Sequence, residues 1–484
     1  MQYKWTVLTV TTVGVLMSGI DSRIVVIGLP VVAASLHADA EQAIWFTQAY
    51  VIGSTVALLF LGRVSDMVGR VKIYNLGFAI FTAGSLITSL SPSPDFFIAA
   101  RIFQGLGSAA LFSNSAAVIT DAFPRSELGN ALGINSVAFR AGSMFGLTLS
   151  GLILAYFDWR YLFYVNIPVG IFGTVWAHRR LHEQSRPERS AKMDWPGFVT
   201  FASFIAFLLL ALTYAAYGFG DSSYVAAFSL TSLISLVIFV RVERRHREPL
   251  LDLSLLRIRE FTGAVSAQLI NAMAWGAFIL LISLYLQLVQ GLSPLQAGIE
   301  IIPFDLTMLF VAPLSGRFSD KYGTRPFATA GLAVISVTLF LMSYLTPNTS
   351  YTALLGLLLL GGAGMGLFTS PNMSSVMGSV PAQRRGVASA FRATFFNVGF
   401  TLSFNIVILV LTFYLPYSLI TQIIASQGST IAIQTDKFAF SSALDNVFLV
   451  LTAINTAAII PSLLRGKRLP LEEGEPSQPI LEPE

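Results

Sequence analysis

Ionisable residues interrupt long apolar runs of this chain, among them Asp21, Arg101, Arg140 and Asp305. A charge at bilayer depth is costly, so such residues mark ion or proton paths, substrate sites or structural pairs. A carboxyl group in a low-dielectric cavity holds its proton more tightly when desolvated and less tightly beside an arginine. Asp21 or Asp305 therefore has the chemistry of a proton carrier, with Arg101 and Arg140 as counter-charges. A buried ion pair that only holds helices together, Asp21–Arg140 for example, is the competing reading. Asn271 and Asn397 add amides that orient a substrate or bond between helices.

Spacing places these groups. At about 1.5 Å per residue, Asp21 lies roughly 13 Å from the helix end at Pro30. Arg140 lies about 16 Å past Gly129, and Asp305 about 16 Å before Gly316. Three charges from three helices are thus expected near the bilayer midplane, where carriers built from repeats place their substrates. Asp21 and Arg23 stand about 200° apart on one helix and cannot share a face. If Asp21 looks into the cavity, Arg23 packs against a neighbour or reaches the outer headgroups. Arg392 is expected to snorkel.

The elements that must hold these residues are membrane helices. Of 484 residues, 54% are hydrophobic and 12% charged, and the mean hydropathy is +0.69. Soluble domains carry about 25% charged residues. With about 20 apolar residues needed per span, fourteen spans are predicted: 7–29, 43–61, 73–91, 95–117, 130–154, 161–177, 195–216, 223–241, 261–288, 296–315, 327–346, 351–372, 386–412 and 445–464. With the N-terminus inside, 24 of the 30 Lys and Arg residues fall on the cytoplasmic side and only Arg160 and Lys437 outside. This asymmetry is what the positive-inside rule demands. The expected fold is all-α and integral to the membrane: two pseudo-symmetric six-helix bundles (1–177 and 261–464), a linker with two extra helices (178–260), and a disordered cytoplasmic tail (465–484). A signal-peptide reading of the first span is disfavoured by Asp21, Arg23 and Pro30 within it.

Two copies of one loop support the halves. GRVSDMVGRVK (62–72) and GRFSDKYGTRP (316–326) each join two apolar runs and share Gly-Arg-x-Ser-Asp-x-x-Gly, the mark of a duplicated carrier. Gly62 and Gly69 are expected to permit a tight connection. Asp66 is expected to face the start of the thirteenth helix, near Arg385, and Asp320 the start of the fifth, near Gly129, as latches onto helix N-termini. Superposing Gly129 on Gly386 sets Arg140 opposite Asn397 and Asn135 opposite Arg392, so each half offers a cation and an amide.

Several classes are excluded. Cysteine is absent, which removes disulfides, thiolate metal sites and cysteine nucleophiles. His37, His178, His182 and His246 all fall outside the apolar runs. There is no GxxxxGK[ST] phosphate loop, and no nucleophile–base pair points to an enzyme. The basic runs at 178–192 and 241–250 read as topology anchors rather than nucleic-acid sites.

At this point the chain resembles the major facilitator superfamily, in its 14-helix drug:proton antiporter branch. Gly62, Asp66, Gly69 and Arg70 match the family's loop motif, repeated at Gly316 and Asp320; ARIFQGLGSAA (100–110) matches its helix-4 motif, IDSRIVVIGLP (20–30) resembles its helix-1 motif, and DWRYLFYVNIPVG (158–170) matches the entry to helix 6. GLTLSG (146–151) departs from the antiporter motif: Leu147 stands where proline is expected and Ser150 replaces a glycine. The resemblance implies proton-coupled export of amphiphilic or toxic small molecules by alternating access. Transport of an organic anion is the alternative, favoured by Arg140 and by the degenerate motif; a non-transporting receptor is a third. The expected partners are a small molecule, protons and the lipid bilayer, with no nucleic acid. The chain is read as a monomer with no cofactor, driven by the proton gradient, and multi-pass in the cell membrane with both termini cytoplasmic.

Overall fold

In lipid every backbone polar group must be satisfied within its own segment, which leaves long apolar runs little choice but the helix. The computed structural model describes residues 3–184, 193–216, 222–246, 249–380, 385–416 and 433–465. In chain order the helices are α1 (Tyr3–Ser35), α2 (Ala40–Val68), α3 (Arg70–Ser89), α4 (Pro94–Ala122), α5 (Arg125–Tyr156), α6 (Asn166–Arg180), α7 (Trp195–Ala216), α8 (Ser222–Arg245), α9 (Arg259–Val289), α10 (Pro294–Tyr322), α11 (Thr324–Met342), α12 (Tyr351–Gly378), α13 (Arg385–Tyr414) and α14 (Ile433–Leu463). Their starts carry the expected side-chain caps. Asp39 with Gln42 and Ser293 with Gln296 form reciprocal capping boxes, and Ser93 and Ser350 cap α4 and α12.

Among the described residues, twelve helices are long and apolar enough to cross a membrane singly. A thirteenth span is α2, bent by 46° between Trp45–Leu58 and Phe60–Val68. The sixth predicted span is shorter than expected: a single turn (Tyr161–Tyr164) precedes the 15 residues of α6. Pro168 explains the break, since its ring clashes with the carbonyl four residues back, at Tyr164. α14 begins at Ile433, a dozen residues before its predicted start at 445. In α9 the helix breaks around Gly276, and the freed Ala277 amide donates to Ser403 Oγ of α13 at 2.9 Å. The predicted tail lies outside the described residues, apart from Arg465.

Packing repeats between the first six helices and the last six. α1 pairs with α5 as α9 does with α13, α2 with α4 as α10 with α12, and α3 with α6 as α11 with α14. Across the midline α5 packs on α10 and α2 on α13, again a symmetric pair. The extra hairpin α7–α8 covers the second seam. α7 touches both α2 and α13, with Phe60 of α2 meeting Trp195 and Phe198 at ring separations of 5.4 and 4.7 Å.

The two ends of the molecule differ. At the end bearing the α1–α2 loop, one apolar core runs through both halves, from Ile24–Ala33 of α1 and Leu36 and Ala38 of the loop to Phe278–Val289 of α9 and Ile301 of α10. There Gln287 Nε2 donates to the Ile27 carbonyl at 3.2 Å, and a Cβ on Gly151 of α5 would lie 2.5 Å from Leu295 Cα of α10. At the end bearing Lys4 and Arg465 the core divides. Val7, Tyr74, Phe78 and Ile119 form one cluster, while Phe261, Val376 and Phe391 with Phe201 of α7 form another. Cβ atoms built on Gly62 and Gly133 meet nothing within 4 Å. Among the described residues the halves share one core at the first end, while towards the second the larger clusters are separate and a small one joins Ala57, Leu58 and Ala109 to Ala393.

Candidate functional site

Two sets of charged residues sit at mid-helix, and they have opposite characters. The first lies wholly inside the first six helices. Asp21 is 0% exposed and Arg101 2%. Arg101 Nη1 donates to Asp21 Oδ2 at 2.7 Å and to Gln104 Oε1 at 2.6 Å, and Arg101 Nε donates to the Phe46 carbonyl at 3.2 Å. Gln104 Nε2 and Asn166 Nδ2 donate to the second carboxylate oxygen at 2.9 and 3.0 Å. The guanidinium also stacks 4.5 Å from the Tyr50 ring. Each part has a local cause. Arg101 and Gln104 are three apart on α4 and so share a face, and the Pro168 break seats Asn166 at the first position of α6. A carboxylate that is 0% exposed and holds three donors from its own bundle in this way has the character of a structural node, with three of its roughly four acceptor sites taken.

The second set lies between the halves. Arg23 of α1, Arg140 of α5, Asp305 of α10 and Arg392 of α13 are all half-buried. Asp305 interacts electrostatically with both Arg23 and Arg140, and Arg140 with Arg392. Among the described residues no ion pair or hydrogen bond closes this group: Asp305 Oδ2 and Arg392 Nε are shielded and without partners. Four charged side chains from four helices are thus linked electrostatically in the order Arg23, Asp305, Arg140, Arg392, with a shielded unpartnered atom on Asp305 and on Arg392. An open polar arrangement of this kind suits a ligand or an exchanging proton, which the closed Asp21 network does not.

The expectation that Asp21 faces the cavity and Arg23 turns away is therefore reversed. The 200° separation holds, but the helix is rotated the other way, because Gln104, Asn166 and Arg101 capture Asp21. Arg101 is likewise internal, not cavity-lining. Arg140 and Asp305 do come together. Arg392 does not run to the end of α13, and it joins them. Asn271 is internal as well, 3% exposed, donating from Nδ2 to Asn455 Oδ1 at 2.8 Å. Asn397, opposite Arg140 by internal symmetry, is half-buried on α13, while Asn135, opposite Arg392, donates to Ser115 Oγ at 2.8 Å inside its own half. Arg23 and Arg392 were missed as cavity residues. The signal that could have found Arg23 was the Arg101–Gln104 pair, which needs a buried carboxylate and has one in Asp21.

The loop residues separate too. Gly69 has φ +126° and Gly323 φ +93°, both glycine conformations, and each ends one helix and starts the next. Gly62 and Gly316 lie within α2 and α10, not in the turns. Asp66 accepts from Arg70 at 3.1 Å, and Arg70 Nη1 donates to Asp121 Oδ1 of α4 at 2.7 Å. Asp320 is exposed. The expected latch positions cannot be paired with them here: residues 381–384 lie outside the described residues, as do the side chains of Arg385 and of Leu128–Asn130.

A duplicated bundle of membrane-spanning helices, with charged side chains at mid-helix between its halves, has the architecture of a multi-pass membrane transporter rather than an enzyme. Among the described residues no group of histidines and carboxylates could hold a metal. The family model of the Major Facilitator Superfamily matches residues 11–404, and the chain belongs to that family; its helix count fits the 14-helix branch. It is 33% identical over 402 residues to the riboflavin transporter RibZ of Clostridioides difficile (strain 630), covering 83% of this chain and 87% of that protein. It is 30% identical over 413 residues to the multidrug resistance protein Stp of Mycobacterium tuberculosis, covering 85% and 76%. In fold it is similar to a bacterial homologue of the human lysosomal transporter Spinster, solved inward-facing and unoccupied (TM-score 0.66, 15% identity, 96% and 98% covered).

Proposed function

We propose that the chain is a secondary active transporter that couples proton movement to the passage of amphiphilic small molecules, by alternating access to the cleft between α1–α6 and α9–α14. Asp305 is the proton-binding group. The observation that carries this is its carboxylate, shielded at the middle of α10 with Oδ2 unpartnered and two arginines in electrostatic reach. Asp21, the other mid-helix carboxylate of the sequence reading, is 0% exposed and held by three donors of its own bundle. The name of the multidrug-resistance relative suggests export; the fold would serve either direction, and the sign of the proton coupling decides which one a proton gradient drives. The excess of Lys and Arg at the end bearing Lys4 and Arg465 supports a cytoplasmic position for both termini.

The test uses the purified protein in proteoliposomes under an imposed pH gradient. Asp305→Asn should abolish gradient-driven flux while counterflow exchange persists. Gradient-driven flux through Asp305→Asn at the wild-type rate would end the assignment.

A further inference from the structure

Resting on that transport reading, the geometry points to the substrate class: Arg23, Arg140 and Arg392 form an anion-recognition site, and the cleft selects amphipathic aromatic molecules carrying a carboxylate, sulfonate or phosphate. Read from sequence, the intramembrane charges balance, Arg101 and Arg140 against Asp21 and Asp305. The structure removes one cation and one anion by locking Arg101 to Asp21 at 2.7 Å inside the first bundle. It then brings in Arg23 and Arg392, so among the described residues three guanidinium groups are set against one carboxylate in electrostatic reach, that of Asp305. Arginine does not lose its proton in proteins, and this surplus of charge is permanent.

The three arginines come from α1, α5 and α13, so they converge on the cleft from both halves. Arg140 lies within electrostatic reach of Arg392, and that like-charge proximity is unfavourable unless an anion sits between them. Arg392 Nε is shielded with no acceptor among the described residues, a donor at cleft depth that awaits one. A guanidinium presents a planar fork that meets carboxylate or phosphate oxygens two at a time. One turn further along α13, Phe395 and Phe396 lie on the side of the helix that Arg392 occupies, at i+3 and i+4. Phe396 is 37% exposed and offers an aromatic surface to a flat apolar body.

Asp305 has a second role in this arrangement. Ionised, it competes with the guest for Arg23 and Arg140; protonated, it releases both. Anion and proton therefore load together, and acidifying the side from which an anion enters speeds its flux. A cation exchanged for a proton would show the opposite response.

Fluorescein and rhodamine 6G share a xanthene body and differ in charge, and their binding to the full chain in detergent is read by fluorescence anisotropy. Fluorescein should bind at least tenfold more tightly than rhodamine 6G. Arg140→Gln and Arg392→Gln should each weaken fluorescein about tenfold or more, as expected for losing a charge-assisted hydrogen bond, and leave rhodamine 6G no weaker. Asp305→Asn should tighten fluorescein. Preference for rhodamine 6G, equal weakening of both dyes, or binding of neither dye overturns the anion site. If the arginine variants fail to fold, competition on the wild type decides: naphthalene-2-sulfonate should displace fluorescein and 2-naphthylmethylammonium should not, and equal displacement overturns the site. Binding as expected with no dye flux in proteoliposomes upholds the anion site and overturns the transport reading instead.

Discussion

The two halves solve the same packing problem with different chemistry. In each, the first, third and sixth helices meet at a buried polar node. In the first half it is ionic, Asp21 with Arg101, Gln104 and Asn166, and Gln104 also donates to Ser85 Oγ of α3 at 2.7 Å. In the second it is neutral: Asn271 donates to Asn455, whose Nδ2 donates to Ser336 Oγ of α11 at 2.9 Å. Gly142 packs on the Leu16 carbonyl and Gly399 on the Leu269 carbonyl. Aligning these contacts sets Ala274 opposite Asp21, so the neutral node sits one turn away. Aligning the cap serines Ser93 and Ser350 sets Leu358 opposite Arg101. An ionic node is demanding: intact, it fixes α1 against α4 and α6, and broken, it leaves a buried charge. A bundle locked in this way is suited to move as a rigid body, and the carboxylate that serves the cleft belongs to the other half.

The largest expected effect breaks the ionic node. Arg101→Leu alone should cost about 3–5 kcal/mol by stranding Asp21, seen as loss of monodisperse protein or a sharply lowered melting temperature in detergent. Asp21→Leu combined with Arg101→Leu should recover most of it. A wild-type melt for Arg101→Leu would erase the distinction between the nodes.

The duplicated loops give the next effect. Gly69→Ala must hold a left-handed conformation, at roughly 1–2 kcal/mol, and its Cβ would fall 2.3 Å from Glu183 Oε1. Gly323→Ala meets open space and should show the backbone cost alone. The difference between the two melts measures the Glu183 contact, and Gly323→Ala as the more damaging change would refute this account.

Smaller still is the neutral node. Asn455→Ala should cost on the order of 0.6–1.7 kcal/mol, the range for interhelical hydrogen bonds in membranes, well below Arg101→Leu in the same melting assay. Arg70→Gln should be mildest in stability, about 1 kcal/mol or less, because its pairs with Asp66 and Asp121 are half-exposed. A large loss of melting temperature there would mean that the Asp66–Arg70–Asp121 contacts carry more than a surface network does.

Much of this was legible in the chain. Apolar runs and their charged flanks determined the helices and the duplication, because lipid leaves the backbone no other way to satisfy its hydrogen bonds. The positions of Gly69 and Gly323 followed from the repeated motif, since only glycine takes those angles without strain. The short sixth span was written in Pro168, though hydropathy alone does not register it. What the tertiary structure alone decided is which face of each helix looks inward. Helical periodicity gives the angle between Asp21 and Arg23 but not the rotation of α1 about its axis. That rotation was set by side chains 80 and 145 residues away, Arg101 and Asn166, whose donors hold the carboxylate and so turn Arg23 towards Asp305.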